Sequence, residues 1–208
     1  MLRSDNSHLT ELLRKLVHLS SLWMVWAVLC LDYWTAFGML LSAFCLMLYY
    51  EYIRRRRASP GLSLDNLLRI VGNPLLRRKE LKVSKWTGAT CLTAAAFLVF
   101  IMFPKEIAAV ALIITIVGDT FAALIGKKFG KAGKNGKSYL GSLAFAVSSL
   151  IAVLFLCSYI DRGLIFTICA IIAILPATIV ERLPFDDNYS VTLTSAIFIW
   201  MSCWMFLY

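Results

Sequence analysis

The chain is short of charge, of acids and of histidine. Only 16% of its 208 residues are Asp, Glu, Lys or Arg, where a soluble globular domain carries about 25%. Set against 60% hydrophobic residues, that shortage excludes a soluble globular enzyme, a disordered tail and a coiled coil. Histidine occurs only as His8 and His18, which excludes chemistry built on a late histidine. The six cysteines (Cys30, Cys45, Cys91, Cys157, Cys169, Cys203) all fall inside apolar runs. No two have the C-x-x-C spacing of a zinc or redox site, so they read as small buried hydrophobes and exclude a disulfide scaffold. No internal repeat is visible, which takes support from an inverted-repeat transporter. The first apolar run ends Leu29-Cys30-Leu31-Asp32 with no small-residue cleavage site. It is therefore expected to remain as a helix and not to serve as a signal peptide.

What the chain has is long apolar runs. A membrane-crossing helix needs about 20 mainly apolar residues. Seven runs qualify: Leu16 to Leu31, Tyr33 to Ile53, Trp86 to Phe103, Ile107 to Ile125, Leu140 to Ile160, Gly163 to Val180 and Val191 to Tyr208. The expected fold is an all-α, polytopic membrane protein of about seven transmembrane helices, one integral domain covering 1–208. Three connections are very short: Asp32, Pro104-Lys105-Glu106 and Asp161-Arg162. They predict tight hairpins at one membrane face, with the long polar segments at the other. Nineteen of the 21 Lys and Arg fall on the long-segment side, and only Lys105 and Arg162 on the hairpin side. The positive-inside rule then predicts a cytoplasmic N-terminus and an outside C-terminus. The net charge of +9 is explained this way without nucleic acid, because the basic residues flank spans instead of forming one patch. The run Arg54 to Arg57 reads as a topology anchor, and the SLDNLLRIV run at 63–71 as a short interfacial helix. The compact length points to a bacterial inner membrane before an organelle.

One segment departs from the rest. Six of the 11 glycines lie between Gly118 and Gly141, interleaved with lysines, in GDTFAALIGKKFGKAGKNGKSYLGS. Asp119 sits seven residues before Gly126, where the helix is expected to end. At ~1.5 Å per residue that is roughly 10 Å below the membrane surface. An acid at that depth is costly, and it faces the bundle interior or a water-filled cavity. Beyond it, Lys127, Lys128, Lys131, Lys134 and Lys137 alternate with Gly126, Gly130, Gly133 and Gly136. Any one such lysine reads as ordinary cytoplasmic charge. Together, glycine-rich backbone turns N–H groups toward a phosphate and lysines add point charges. The segment then enters a helix at Lys137-Ser138 and Gly141-Ser142, and a helix start favours anions. The pattern is not a Walker loop, because Lys131 stands where its first glycine would be and no strand precedes it.

A second acid cluster follows the sixth run: Glu181, then Asp186-Asp187-Asn188. It reads either as a magnesium site, since Mg²⁺ takes one or two carboxylates plus phosphate oxygens, or as a turn with Asx hydrogen bonds. With Asp119, these acids (Glu181, Asp186, Asp187) form the expected metal set. Asp119, Lys137 and Asp187 thus belong to a constellation of carboxylates and a phosphate cradle, with phosphate expected on Lys127, Lys128, Gly130, Lys131, Lys137, Ser138, Gly141 and Ser142. In the first run, Lys15 and His18 are candidates for contact with phosphate or a substrate headgroup, with a packed histidine as the plainer alternative for His18.

The ordered set of motifs resembles the membrane-bound lipid-alcohol kinases: dolichol and polyprenol kinases, phytol kinase and the CTP-dependent diacylglycerol kinase. It is carried by Arg14-Lys15-Leu16-Val17-His18, Arg78-Lys79-Glu80 with Thr87-Gly88-Ala89, and Gly118-Asp119-Thr120 with Ala122 and Gly126. Phe129-Gly130-Lys131, Lys137-Ser138 with Gly141-Ser142, and Glu181 with Asp186-Asp187-Asn188 complete it. The resemblance implies transfer of the terminal phosphate of CTP, with Mg²⁺, to the hydroxyl of a lipid alcohol. It also implies that the phosphate cradle holds the nucleotide, that Asp119, Lys137 and Asp187 are the catalytic residues, and that Glu80 and Asn188 join the expected substrate contacts. The CDP-diacylglycerol synthases are similar in an Asp-Thr-x-Ala run, a Gly-Lys loop and CTP. They differ in a Ser-Pro-Lys-Lys-Thr stretch and a late His-Gly-Gly, where this chain has Lys137-Ser138-Tyr139-Leu140-Gly141 and no late histidine. Cytidylyl transfer is therefore the second reading, and a transporter using Asp119 as a coupling acid the third.

Overall fold

The computed structural model describes residues 13–55, 86–130, 137–183 and 186–207. Glu80, Lys131 and Lys134 of the expected site and the expected helix at 63–71 lie outside the described residues, and nothing is said of the Asp187 side chain. Among the described residues the chain forms seven helical rods and no strand. The first, α1, runs Leu13–Cys30. It tightens after His18, where Ser21 N–H bonds to His18 O at 3.1 Å and Leu22 N–H to Leu19 O at 3.0 Å. Adjacent serines, Ser20 and Ser21, are a common cause of such a hitch.

The other rods begin where the sequence supplies a cap or a preset turn. α2, Tyr33–Arg55, is capped by Asp32, whose carboxylate accepts the Thr35 hydroxyl at 2.7 Å and the Thr35 N–H at 3.0 Å. The same two bonds, the hydroxyl first, hold the Asp32 carboxyl below its ordinary value. α3, Gly88–Met102, is capped by Thr87, which accepts the Thr90 N–H at 3.3 Å. α4, Lys105–Phe129, follows Pro104, whose fixed φ suits a helix start. α5, Tyr139–Ile160, is capped by Ser138 accepting the Gly141 N–H at 3.0 Å. It ends at Asp161, φ +50°, and Gly163, φ +85°, left-handed residues that turn the chain into α6, Gly163–Glu181. α7, Asp187–Leu207, is capped by Asp186, whose Oδ1 accepts the Asn188 N–H at 3.2 Å. The Asx hydrogen bond read from the Asp186 turn is present.

Six rods are long and apolar enough to cross a membrane. The third expected span is the exception: α3 has 15 residues, about 22 Å at 1.5 Å per residue, less than the ~30 Å of a hydrocarbon core. The expected run loses Trp86 and Thr87 to the extended cap and Phe103 to the turn before Pro104. α4 also outruns the expected end at Gly126 and continues to Phe129, so Lys127 and Lys128 ride its last turn and not a loop.

Side-chain contacts fix the directions. Ser138 and Gly141 lie against Gly126, whereas Phe145 and Ser149 lie against Gly118, so α4 and α5 are antiparallel. Ser142 reaches Glu181 from α5 to α6 near one end, and the Tyr33 and Phe100 rings stack between α2 and α3 near the other. The three short connections share one end of the bundle. The start of α1, the end of α2, the start of α3, the end of α4 and the starts of α5 and α7 share the opposite, charged end.

α4 is the central rod, packed against α1, α3, α5, α6 and α7. Its residues from Glu106 to Ile116 are all buried, and Gly118, Asp119, Thr120 and Ala122 continue the buried surface. Large apolar side chains on the outer rods, such as Trp34, Phe155 and Leu164, face outward, as a bundle in lipid requires. Small residues at Gly118, Ala122 and Gly126, four apart, let the α5 backbone close on α4. A Cβ on Gly118 would stand 2.5 Å from the Phe145 ring and 2.6 Å from Ser149 Oγ. Gly118→Ala is therefore expected to destabilise the bundle by about 1–3 kcal/mol. A lower melting temperature of the purified protein in detergent measures it; an unchanged value would mean that α5 yields without cost.

Candidate functional site

Polar side chains from six of the seven rods collect at the charged end. Lys15 and His18 are three apart on α1 and share a face. Both turn to Asp119 on α4. Lys15 Nζ lies 2.6 Å from Asp119 Oδ2 and donates to its backbone oxygen at 2.9 Å, and His18 Nε2 is 3.5 Å from the same carboxylate oxygen. Lys15 is 2% exposed and Asp119 7%. A lone carboxylate or ammonium in this setting would meet a large desolvation cost, and the pairing offsets it for both. The sequence makes Lys15 and His18 candidates for a phosphate or substrate-headgroup contact; the structure places both beside Asp119.

A second group is built around Glu181 at the end of α6. Lys137 Nζ lies 3.4 Å from Glu181 Oε1 and also donates to the Glu181 backbone oxygen, while Ser142 donates to Oε2 at 3.1 Å. Glu181 and Ser142 are buried and Lys137 is partly exposed. The Arg182 guanidinium sits 4.0 Å over the Tyr139 ring and braces α6 on α5 at this level. Ser138 Oγ, the cap of α5, also contacts Gly126 O at 3.4 Å. Gly130 and Gly141 have a packing reason to be glycine: a Cβ on Gly130 would run into Ser138, and one on Gly141 would press on the Ala122 backbone oxygen at 3.0 Å and on Ser138 Oγ at 3.1 Å. Lys127 and Lys128 are on the rim, and Lys128 Nζ lies 5.2 Å from the Phe129 ring centre.

A third group joins α7 to α3 and α4. Asn188 Nδ2 donates to Gly88 O at 2.9 Å. One turn further, the Thr192 hydroxyl donates to Asn188 O at 2.6 Å and lies 2.9 Å from the Thr115 hydroxyl of α4. Thr115 is four residues before Asp119.

Of the expected metal set, Asp119, Glu181 and Asp186 stand in separate surroundings, and the Asp187 side chain lies outside what is described. Among the described residues no three His, Cys, Asp or Glu side chains come together as a metal site. Asp119 is matched by Lys15, Glu181 by Lys137, and Asp186 caps α7. Asp119 and Glu181 are buried and Asp186 is exposed; single carboxylates of this kind suit a hard cation that arrives already bound by phosphate oxygens.

Sequence reasoning missed Glu51. It is buried at the end of α2 and accepts Arg54 Nε at 3.0 Å, Arg54 Nη2 at 2.6 Å and the Thr87 N–H at 2.6 Å. It thus ties the arginine run to the start of α3, and Arg55 adds a contact 5.3 Å over the Trp86 ring. The available signal was a single acid three residues before Arg54 in an otherwise apolar rod.

No family model matches the chain, and no solved structure matches it. An uncharacterized protein of Rickettsia prowazekii (strain Madrid E) is 36% identical over 112 residues, 52% of this chain and 54% of the relative. The chain therefore spans about half the length of the curated relative it matches.

Proposed function

We propose that the chain is a CTP-dependent kinase that phosphorylates the hydroxyl of a membrane lipid alcohol of the polyprenol, phytol or diacylglycerol type. The observation that carries this reading is the buried Asp119 carboxylate, held by Lys15 and His18, at the same end of the bundle as the Lys137–Glu181–Ser142 group at the start of α5. The resemblance to lipid-alcohol kinases supplies the reaction and the donor. In this reading all seven rods belong to the membrane domain, with α3 as a short one. The charged end faces the cytoplasm, as the placement of 19 of 21 Lys and Arg suggests, and the membrane is a bacterial inner membrane.

Phosphoryl transfer asks for alignment and charge neutralisation more than for covalent help from the protein. Lys137 is partly exposed and holds Glu181 through a 3.4 Å ion pair, so it turns to phosphate oxygens at little cost. Ser138 and the first turn of α5 supply backbone donors beside it. Asp119, deeper and better shielded, stands where the hydroxyl of a lipid alcohol rises from the apolar interior, and it is the first choice to take up the alcohol proton. Magnesium bound to the triphosphate would neutralise its oxygens, with Glu181 or Asp119 as the carboxylate that holds it.

The test is to incubate the purified full chain with γ- or α-labelled CTP, Mg²⁺ and a panel of lipid alcohols. Transfer of the γ label to lipid as phosphate is expected. Transfer of the α label as CMP would turn the assignment to a cytidylyltransferase, and no transfer to any alcohol would favour a transporter.

A further inference from the structure

Asn188 is the second residue of α7 and is 8% exposed. Nearly all of its hydrogen-bonding capacity is spent. Its N–H goes to Asp186 Oδ1, its carbonyl accepts Thr192, and its Nδ2 donates to Gly88 O. That last bond also fixes which way the amide lies, because turning it over would set two oxygens against each other. Among its acceptors Oδ1 remains: buried, and with no partner among the described residues. Native proteins rarely leave such an acceptor unmet.

Its position follows from the helix register. Thr115 on α4 touches Thr192 on α7 at 2.9 Å. The two rods are antiparallel, since three successive hairpins separate them. Asp119 is four residues after Thr115, and Asn188 four before Thr192. Both steps lead one helical turn toward the charged end. Asn188 and Asp119 therefore sit at one level on facing rods, above the buried Ile116 and Val191.

From this, and resting on the kinase reading, we infer that Asn188 Oδ1 receives the hydroxyl hydrogen of the acceptor alcohol in the seam of α3, α4 and α7. The chemistry of the group selects the ligand. A phosphate presents only acceptors and is repelled by an amide oxygen. An ammonium calls for a carboxylate. A neutral O–H at the end of an apolar molecule supplies a donor that this oxygen lacks. Asn188 orients the hydroxyl and does not keep its proton. As the alcohol oxygen bonds to the γ-phosphorus, the bond from that phosphorus to the β–γ bridging oxygen breaks. CDP leaves with the electron pair, and the alcohol proton passes to Asp119 and on to water.

The experiment measures binding without nucleotide, using a C20 isoprenol and its methyl ether with the full chain in detergent. The ether keeps the tail and lacks the O–H. The wild type is expected to bind the alcohol about tenfold more tightly than the ether, the worth of one ordinary buried hydrogen bond. Asn188→Leu, of similar volume, is expected to bind both equally, at the ether's affinity. Equal binding of the two by the wild type would overturn the inference with no variant needed, and so would a preference that survives in Asn188→Leu. If that variant instead loses discrimination between CTP and UTP while its alcohol preference is intact, Oδ1 serves the cytosine amino group and the inference also falls. Phosphate transfer with an alcohol preference independent of Asn188 removes this inference alone. A preference that depends on Asn188, with no transfer to any alcohol, removes the kinase reading and leaves a hydroxyl-lipid site.

Discussion

Asp119→Asn is expected to lower phosphate transfer by about 10²–10⁴-fold, the range for loss of a positioned proton acceptor, while the protein still inserts and purifies. The substitution keeps the shape and removes the charge. It also leaves the Lys15 ammonium, 2% exposed, beside a neutral amide. Breaking one side of a buried ion pair typically costs about 3–5 kcal/mol, so a fall in stability accompanies the fall in rate and would by itself confuse the interpretation. The double variant Lys15→Met/Asp119→Leu separates the two effects. An apolar pair of similar volume is often neutral or stabilising where a buried ion pair was. Its melting temperature is therefore expected to return to the wild-type value or above, with transfer still absent. Turnover near wild type in either variant would make the pair a structural brace between α1 and α4 and take Asp119 out of the chemistry.

The all-helical architecture was legible because long apolar runs and short connections leave few alternatives for a chain with this little charge. The burial of Asp119 was legible for the same reason: an acid inside such a run must face inward. Its partners were harder to foresee. Lys15 and His18 were visible as neighbours on one face of α1, but which rod they meet depends on packing across more than a hundred residues of sequence. The glycines have a packing role that their spacing with lysine did not reveal: Gly118, Gly126 and Gly141 stand where α4 and α5 close on each other. Small residues serve a close backbone approach and an anion site equally well, and composition does not separate them. α3 was overestimated because apolar character does not reveal a cap: Thr87 is extended so that Thr90 N–H and Glu51 can be satisfied. Among the described acids each has a near partner that spacing alone did not reveal, a lysine for Asp119 and Glu181 and a helix start for Asp186.

Lys137→Ala is expected to raise the KM for CTP by about 10–150-fold with little change in the KM for the lipid alcohol. A hydrogen bond to a charged group contributes roughly 1.5–3 kcal/mol, and each 1.4 kcal/mol is about tenfold. The lysine suits this task by its placement. It stands at the start of α5, partly exposed, and its ammonium rests on Glu181, which Ser142 holds from the other side. That arrangement keeps the charge on the rim of the site until a stronger anion competes for it. Lys105→Ala is the matched control. Lys105 lies at the opposite end of the bundle, on the first turn of α4, and its loss is expected to leave both KM values unchanged. The salt response separates the roles further. A phosphate contact made by Lys137 is screened as ionic strength rises, so the gap between wild type and Lys137→Ala should narrow in high salt. Equal losses in the two variants would mean that positive charge matters here only for orienting the chain in the membrane. An effect on the alcohol KM in place of the nucleotide KM would move the phosphates away from the start of α5 and toward the Lys15 side of Asp119.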